Sequence, residues 1–465
     1  MLKFDAAVIG GGPGGYECAI RLSQNGIRTA LIEKDELGGT CLNRGCIPTK
    51  ALLHAAGIYR AAKEGAECGI TAKEILFDYG QMVQHSKDVS KKLRDGVAFL
   101  EKNHGVAVFK AEARISDRKT IELDTGETIS CDHMIVATGS IPARIPVPGA
   151  DLPGVLDSTA LLDLRECPRS IVIIGAGVIG MEFAALYSAL GVQVTVLEML
   201  DRVLAPFDRS VSDYVEADLL QNGVRLILGT RVQSIEEGLR VNYQVSKDGS
   251  VGCAEAERVL MAGGRIPNTR GIGLENAGVR LDRRGAVEVD GLCRTNVPGI
   301  YAIGDVNGKM MLAHAASAQG ILVADHIAKH PVKQLELRRI PSCVYCHPEV
   351  SMVGLTEEQA RASGRSVGTG VFPLSGNGRA MTMGAPSGFT KFVFDRDTDE
   401  ILGFHMVGPS ATEVVSEVAA VMESEGTLTE ICSTVHPHPT VSETVMEGAR
   451  ICHECCVNVP KARRQ

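Results

Sequence analysis

Two cysteines separated by four residues, Cys41 and Cys46, are the side chains of this sequence best placed to do chemistry. They lie in a short segment, 38–50, that closely follows a dinucleotide-binding pattern. A disulfide accepts two electrons through thiolate attack and a mixed disulfide, so such a pair could exchange electrons with a flavin. Spacing alone does not make a cysteine pair redox-active, and the surrounding elements have to support it.

A glycine-rich pattern before the cysteines predicts a dinucleotide-binding unit. The apolar run 6–9 suits a buried parallel strand, a helical pattern covers 16–25, and a second strand, 29–32, ends at Glu33. Glycine lets the backbone approach a pyrophosphate, the helix N-terminus stabilises its charge, and Glu33 would accept hydrogen bonds from ribose hydroxyls. The candidate binding glycines are Gly10, Gly12, Gly14 and Gly15.

The same pattern returns further along the chain. Its glycines are Gly175, Gly177 and Gly180, and its terminal acid is Glu198. In both copies the first glycine and the acid stand 23 positions apart, which favours two dinucleotide sites over two unrelated glycine turns. Glu198 repels a 2′-phosphate and is followed by Met199 rather than an arginine, so NAD is favoured, while Arg202 keeps NADP open.

The composition predicts a globular protein of about three domains. The net charge of −8 argues against nucleic acid as a partner, and no apolar run is long enough to place the chain in a membrane. The N-terminus runs directly into a strand pattern without a signal peptide, so we expect a cytoplasmic protein. There most of the 14 cysteines would be reduced, and a disulfide would be catalytic rather than structural.

Further segments make the chain resemble the pyridine nucleotide–disulfide oxidoreductases from Val8 to about Met446. The resemblance rests on both glycine units and on 38–50, 137–142, 295–305 and 436–443. It implies an α/β fold with two Rossmann-like dinucleotide-binding domains, for FAD and NAD, and a C-terminal α+β dimerisation domain. The implied division is an FAD-binding domain in two parts, 1–147 and 269–338, an NAD-binding domain, 148–268, and an interface domain with a cysteine-rich tail, 339–465.

The resemblance also implies which residues hold the cofactors. FAD would lie on the first glycine loop and Glu33, and further contacts would come from Lys50, Thr138, Gly139, Ser140, Gly304 and Asp305. Asp305 would lie near the ribityl–phosphate region. NAD would lie on the second glycine loop, Glu198 and Gly264.

For the cysteines, the resemblance implies a relay with assigned ends. Cys41 would exchange with a substrate dithiol, and Cys46 would lie beside the flavin, from which the electrons pass to NAD. A thiol reaction near neutral pH needs a base, and His438 would be that base, with Glu443 as the carboxylate that orients it. Both would reach the cysteines from the other subunit of a homodimer, so activity would require the dimer.

The resemblance assigns one more pair, Lys50 and Glu182, to an ion pair beneath the flavin. The alternative is two surface charges on separate helices. His436 is the competing candidate for the base, and its place in the motif favours a structural role. A metal site formed by His436 and His438 lacks further ligands nearby, so no metal is expected.

Two features depart from the family pattern. Arg44 stands between the cysteines where the family usually has a small or apolar residue, and we expect its charge to lower the thiolate pKa. The tail carries Cys452, Cys455 and Cys456 beside His453. A redox relay is one interpretation, and we favour a tail without that role, with adventitious metal binding through Cys452, His453 and Cys455 as a variant.

Within the family, the residues most resemble members that oxidise dihydrolipoyl groups and reduce NAD. Because the chain has no lipoyl domain, this implies a separate lipoyl carrier protein as partner, either an acyltransferase component or a glycine-cleavage carrier. The alternative is an NAD(P)H-dependent reductase of glutathione disulfide or of a metal ion such as mercuric ion. A purely structural subunit of a dehydrogenase complex would be favoured by loss of Cys41, His438 or Glu443, and all three are present.

Overall fold

The structure is a computed structural model that describes residues 1–460. Residues 461–465, the end of the predicted interface segment, lie outside the described residues. Apolar cores cover both faces of each dinucleotide-unit sheet, and a further core fills the C-terminal part.

The first part of the chain builds a mixed sheet around a fully buried strand end, residues 6–9. The sheet strands of this part are β1 (Leu2–Ile9), β2 (Thr29–Glu33), β3 (Ala107–Lys110), β4 (Ala113–Ile115), β5 (Thr120–Leu123) and β6 (Thr128–Val136), and β7 (Ser140–Pro142) follows outside the sheet. Its helices are α1 (Pro13–Gln24), α2 (Gly39–Arg44), α3 (Cys46–Glu64) and α4 (Tyr79–Asn103). The strand order is β3–β2–β1–β6–β5–β4, parallel as far as β6 and antiparallel beyond it.

Helix α1 begins three residues before the predicted start. Its early start at Pro13 follows from proline chemistry, because the first helical position needs no N–H partner and proline has the helical φ already. The helix therefore starts directly at the glycine loop, where its free N–H groups face the predicted pyrophosphate site.

The second glycine unit forms a separate parallel sheet in the order β11–β10–β9–β15–β8, flanked by an antiparallel sheet β12–β13–β14. The strands are β8 (Val155–Leu156), β9 (Ser170–Ile174), β10 (Gln193–Leu197), β11 (Arg225–Ile227), β12 (Thr230–Glu236), β13 (Arg240–Val245), β14 (Val251–Glu255), β15 (Arg258–Met261) and β16 (Arg265–Pro267). The helices are α5 (Ser158–Leu161), α6 (Val178–Ala189) and α7 (Arg209–Gln221). Strand β16 pairs with β7 and so ties this sheet to the first part.

The chain then returns to the first sheet. The elements of this stretch are α8 (Leu274–Ala277), β17 (Ile300–Ala302) and α9 (Ala313–Ile327). Strand β17 pairs in parallel with β6, and α9 packs on α1. At that crossing a Cβ added to Gly14 would lie 2.8 Å from the carbonyl oxygen of Ala316. Gly14, predicted as a cofactor contact, is thus required by helix packing.

The last part is an antiparallel sheet in the order β18–β19–β22–β21–β20, covered by helices. The strands are β18 (Ser342–Val344), β19 (Val350–Gly354), β20 (Val367–Pro373), β21 (Phe389–Asp395) and β22 (Ile401–Val407). The helices are α10 (Glu357–Ala362), α11 (Gly378–Thr382), α12 (Ala411–Glu423), α13 (Leu428–Ser433) and α14 (Glu443–Cys452).

The predicted fold class, α/β with two dinucleotide units and a C-terminal α+β region, is confirmed. The boundaries between the four predicted segments remain our proposal, supported by the return of β17 to the first sheet. Among the described residues, no helix is both long and apolar enough to cross a membrane.

Candidate active site

The two glycine loops have the same internal packing. A Cβ added to Gly10 would lie 2.3 Å from the Ala137 carbonyl oxygen, and one added to Gly15 would lie 1.8 Å from the Gly10 carbonyl oxygen. In the second loop a Cβ on Gly180 would lie 2.0 Å from the Gly175 carbonyl oxygen. These glycines are fixed by close backbone contacts between the loop, its helix and the neighbouring strand.

The middle glycine of each loop faces open space instead. A Cβ added to Gly12 would have its nearest neighbour at 4.0 Å, and nothing would lie within 4 Å of one added to Gly177 or Gly264. Neither α1 nor α6 has a side chain that caps its N-terminus, so its first N–H groups are available. This space and these donors fit one dinucleotide pyrophosphate at each loop, as expected for FAD and NAD.

The terminal acids Glu33 and Glu198 are held by matching backbone contacts. Glu33 accepts a hydrogen bond from the Gly11 N–H at 2.6 Å, and Glu198 accepts one from the Ala176 N–H at 2.5 Å. The other oxygen of each carboxylate accepts, at 2.8 Å, from the N–H two residues further on. Each carboxylate oxygen keeps lone-pair capacity for a ribose hydroxyl, whereas a 2′-phosphate would meet a fixed negative charge.

The segments 138–140 and 304–305, far apart in the sequence, meet at the end of the first sheet. The Ser140 hydroxyl donates to Asp305 at 2.5 Å. Gly139 and Gly304 have φ of +70° and +72°, which favour glycine and turn both segments toward one place. Arg265 Nε donates to the Ser140 hydroxyl at 2.7 Å and lies 4.0 Å from Asp305 Oδ2.

Arg265 is a site residue that sequence reasoning missed. Burial lowers the pKa of Arg265, and the charges of Asp305 and Cys46 oppose this fall. The charge of Arg265 therefore also acts on Cys46. Beside Arg265, the Thr138 hydroxyl donates to the carbonyl of Asn268 at 2.7 Å. The signal that could have identified Arg265 in the sequence was its position directly after Gly264, where the second dinucleotide unit ends.

The cysteines lie at the junction of two helices. Cys41 is in α2, Cys46 is the first residue of α3, and Gly45 joins them with φ −149° and ψ −114°. A Cβ on Gly45 would lie 2.9 Å from the Thr40 carbonyl oxygen, so the junction is tight. The Thr49 hydroxyl donates to the Gly45 carbonyl at 2.7 Å and secures the first turn of α3.

The two thiols differ in acidity. A hydrogen bond from the Cys41 thiol lowers the pKa of Cys46 to about 7, against burial and with the help of the Lys50 charge. The pKa of Cys41 is raised, first by the same hydrogen bond and then by burial. Cys46 also begins a helix, where the partial positive charge favours a thiolate. The arrangement therefore prepares Cys46 as the thiolate and Cys41 as the thiol.

The predicted contact between Lys50 and Glu182 is present. Lys50 Nζ lies 2.6 Å and 2.7 Å from the two carboxylate oxygens, and Glu182 is 5% exposed. The Tyr345 N–H donates to the same carboxylate at 3.1 Å, and Lys50 Nζ lies 4.7 Å from the centre of the Tyr345 ring. Tyr345 is a second residue that the sequence did not point to. It helps fix a cation one helical turn after Cys46.

The expectation for Arg44 was wrong. Its side chain pairs with Asp35 on the surface, and Arg44 is not among the main causes of the fall in the Cys46 pKa. There its charge acts on Glu33, whose pKa is raised by burial and lowered in part by Arg44. The largest charge effects on the pKa of Cys46 are those of Lys50, which lowers it, and Glu182, which raises it.

Replacing Arg44 with valine is therefore expected to leave the pH dependence of kcat/KM unchanged. The loss in unfolding free energy should be about 0–1 kcal/mol, as for an exposed ion pair. Profiles of kcat/KM against pH for the wild type, Arg44→Val and Lys50→Met would check this, since Lys50→Met removes the cation that does act on Cys46. A shifted midpoint in Arg44→Val would contradict the assignment.

His438 and Glu443 are hydrogen-bonded, with 2.9 Å between Nδ1 and Oε1. The Thr440 N–H donates to the other oxygen of Glu443 at 2.9 Å; these two bonds outweigh burial and keep the pKa of Glu443 below its ordinary value. The carboxylate requires the proton on Nδ1, which leaves Nε2 free to accept one. The His438 side chain is 77% exposed, whereas His436 is 3% exposed and bonded to Glu417 at 2.6 Å.

In the described residues of the single chain, no hydrogen bond joins His438 to Cys41 or Cys46. An exposed base that is aimed outward is incomplete by itself. It fits the expectation that the base serves another subunit.

The tail thiols take separate positions. Cys452 Sγ lies 3.4 Å from the Gly448 carbonyl oxygen, and Cys456 Sγ lies 2.9 Å from Glu447 Oε2, while Cys455 is exposed. Within residues 1–460, no three or more histidine, cysteine or acidic side chains are grouped to hold a metal ion. The metal-binding interpretation of the tail therefore has no support.

Comparison with known protein families gives two matches. Residues 4–320 match the pyridine nucleotide-disulphide oxidoreductases, and residues 340–449 match the dimerisation domain of the same proteins.

Individual relatives extend over nearly the whole chain. The dihydrolipoyl dehydrogenase of Bacillus subtilis (strain 168) is 39% identical, covering 96% of this chain and 97% of the relative. That of Chlamydia pneumoniae is 41% identical and covers 96% of each. Among solved structures, LpdA from Mycobacterium tuberculosis has a TM-score of 0.88 at 29% identity over 96% of this chain and 99% of its own. The HOCl-induced flavoprotein disulfide reductase RclA from Escherichia coli has a TM-score of 0.86 at 29% identity over 96% and 100%.

Proposed function

The chain belongs to the pyridine nucleotide-disulphide oxidoreductase family, and we propose that Cys41 and Cys46 form the redox-active pair of its reaction. The reaction is the oxidation of dihydrolipoyl groups to lipoyl groups with reduction of NAD, and the cofactors are FAD and NAD. The observation that carries the proposed pair is the position of Cys41 and Cys46 at the tight junction of α2 and α3, with Lys50, one helical turn after Cys46, bonded to the buried Glu182.

At the start of the proposed reaction, the oxidised protein holds a Cys41–Cys46 disulfide. His438 Nε2 takes the proton of a substrate thiol, and the resulting thiolate attacks Cys41 Sγ. The bond between the cysteines breaks, and Cys46 leaves as a thiolate beside the Lys50 ammonium. The second substrate thiol then loses its proton and attacks the substrate sulfur, which releases Cys41 and the substrate disulfide.

The other residues hold the participants. Glu443 keeps the imidazole of His438 in the tautomer that accepts a proton at Nε2. The first glycine loop with Glu33, Lys50, Thr138 to Ser140, Gly304 and Asp305 would hold FAD, and the second loop with Glu198 and Gly264 would hold NAD. The chemistry that FAD supplies when bound is two-electron transfer between the thiol pair and NAD.

The chain carries the dimerisation domain of the family, which supports a homodimer. We propose that His438 of one subunit serves the cysteines of the other. We also propose that the substrate dithiol is presented by a separate lipoyl carrier protein, an acyltransferase component or a glycine-cleavage carrier. The cytoplasmic location stays a proposal.

Two assays of the purified, FAD-loaded protein test the function. We expect fast reduction of NAD by dihydrolipoamide, and slow oxidation of NADPH by glutathione disulfide, because Glu198 would repel the 2′-phosphate. Mercuric ion with NADH or NADPH tests the metal-ion alternative. Robust turnover confined to glutathione disulfide or mercuric ion would overturn the assignment.

A further inference from the structure

A second group of reactive side chains lies in the C-terminal region, apart from Cys41 and Cys46. It contains Cys432 at the end of α13, His453 directly after α14, and Asp399 in the turn between β21 and β22. Cys432 Sγ lies 3.6 Å from His453 Nδ1, and His453 Nε2 lies 2.7 Å from Asp399 Oδ1. This is the order of a nucleophile, a base and a carboxylate that orients the base.

Two hydrogen bonds from Thr429 hold the carboxylate of Asp399. Asp399 Oδ2 accepts from the N–H of Thr429 at 3.0 Å and from its hydroxyl at 2.9 Å, both at the start of α13. Its other oxygen is left for His453, and a carboxylate there requires the proton on Nε2. The unprotonated Nδ1 therefore faces the sulfur of Cys432.

The thiol needs such a base. Burial, together with the nearby Cys455 and Asp399, raises the pKa of Cys432 to about 11. Its thiolate is therefore scarce near neutral pH, and the proton has to leave as the sulfur attacks. His453 Nδ1 is positioned to accept it.

A second thiol, Cys455, follows two residues after His453, whose ring lies 3.6 Å from Cys432 Sγ. Among the groups around Cys432, Cys455 exerts the largest charge effect on its pKa, and Cys455 is exposed. The turn after α14 fixes the backbone of Cys455, since Glu454 has φ +57° and the Cys455 N–H donates to the Arg450 carbonyl at 2.9 Å. Cys452 also lies near Cys432, but it is partly buried and donates to the Gly448 carbonyl, and Cys456 donates to Glu447, so both thiols have hydrogen-bond partners in α14.

We propose that Cys432, His453 and Asp399 form a second thiol–disulfide exchange site, with Cys455 as the resolving thiol. The co-reactant is a small exposed disulfide, R–S–S–R. Cys432 gives its proton to His453 and attacks one sulfur, which forms Cys432–S–S–R and releases R–S⁻, protonated in turn by His453. Cys455 then attacks Cys432 Sγ, closes the Cys432–Cys455 disulfide and releases a second R–SH. The protein pair loses two electrons and two protons, and the small disulfide gains them.

The site lies on the elements that carry the proposed base. α13 ends at Ser433, before the segment with His438, and α14 begins at Glu443. A Cys432–Cys455 bond would link the end of α13 to the turn after α14. It would thus join the two helices that flank the segment with His438.

The test uses full-length, FAD-loaded protein with Cys41→Ser and Cys46→Ser, so that the first pair cannot react. Glutathione disulfide is added, and the modified cysteines are followed over time by peptide mass spectrometry. We expect Cys432 to react at least about tenfold faster than the exposed Cys68, although Cys432 is partly buried. The product should become the Cys432–Cys455 disulfide, and Cys455→Ser should stop the reaction at the mixed disulfide.

Variants separate base catalysis from exposure. His453→Asn and Asp399→Asn should each slow modification of Cys432 at least about tenfold without changing that of Cys68. The matched control, His330→Asn, breaks another surface contact between a histidine and an aspartate, with Asp325, and should change neither rate. The unsubstituted site gives the Cys432-to-Cys68 ratio even if a variant fails to fold. Equal rates for the two cysteines, or an unchanged rate in a folded His453→Asn, would overturn the proposal.

Discussion

Replacing His438 with glutamine should lower kcat for dihydrolipoamide oxidation by about 10²–10⁴-fold, the usual contribution of a positioned base. The imidazole is 77% exposed and bonded to Glu443, so its loss removes a proton acceptor with little loss of packing. The melting temperature and the bound FAD should stay close to the wild type. Steady-state kinetics with dihydrolipoamide and NAD measures the effect.

His436 provides the matched comparison, because it is the other histidine of the motif. It is 3% exposed and bonded to Glu417, so His436→Gln should lower the melting temperature. The kcat of the protein that remains folded should stay close to that of the wild type. If His436→Gln removed kcat while His438→Gln kept it, the two roles would have to be exchanged.

Mixing two inactive variants tests whether the base acts across the dimer. A hybrid of His438→Gln with Cys41→Ser holds one intact site if the base comes from the partner subunit, and none if it comes from the same chain. With random exchange of subunits, about a quarter of the wild-type activity should return. No recovery in verified hybrids would place the base on the same chain as the cysteines.

Replacing Cys46 with serine should abolish dihydrolipoamide-dependent reduction of NAD, by at least about 10³-fold. Serine cannot form the disulfide that the substrate thiolate has to open. Cys41→Ser should have the same effect, because the two sulfurs work as one unit. Turnover above about one percent in either variant would exclude the pair as the route of the electrons. Cys68→Ser changes an exposed cysteine outside the site and serves as the control.

The acidity of Cys46 predicts how the reactivity of this thiol changes with pH. With a pKa of about 7, the thiolate dominates above neutral pH and is lost as the pH falls through this value. The rate of Cys46 alkylation by iodoacetamide in the reduced protein should therefore rise through a midpoint near pH 7. Lys50→Met removes a stabilising cation and should move that midpoint upward by about one unit. An unchanged midpoint would show that the ion pair with Glu182 does not act on the sulfur.

The glycine units were predictable from the sequence to the level of individual roles. Gly15 and its counterpart Gly180 are fixed by contacts with the carbonyl oxygens of Gly10 and Gly175, inside one strand–loop–helix unit. A contact made within about twenty residues is encoded locally, so its spacing in the sequence suffices to predict it. The close contacts of Gly10 with Ala137 and of Gly14 with Ala316 were not predictable in this way, since both neighbours lie far away in the sequence.

Side-chain direction was not predictable in the same way. Arg44 stands between the cysteines in the sequence, yet at the end of α2 its side chain pairs with Asp35 on the surface. Lys50 meets a carboxylate 132 residues away, and Ser140 meets one 165 residues away. Their identification needed resemblance to a family, because no local pattern records such pairings.

The sequence by itself determined the two dinucleotide units, the cysteine pair and the preference for NAD, because each follows from residue types at short, fixed spacings. The tertiary structure alone decided which charges act most on Cys46. It also brought together Cys432 at the end of α13, His453 after α14 and Asp399 in the turn between β21 and β22. The physical reason is that packing sets the distance between elements and the direction of their side chains. Electrostatic and proton-transfer effects depend on those two quantities rather than on separation along the chain.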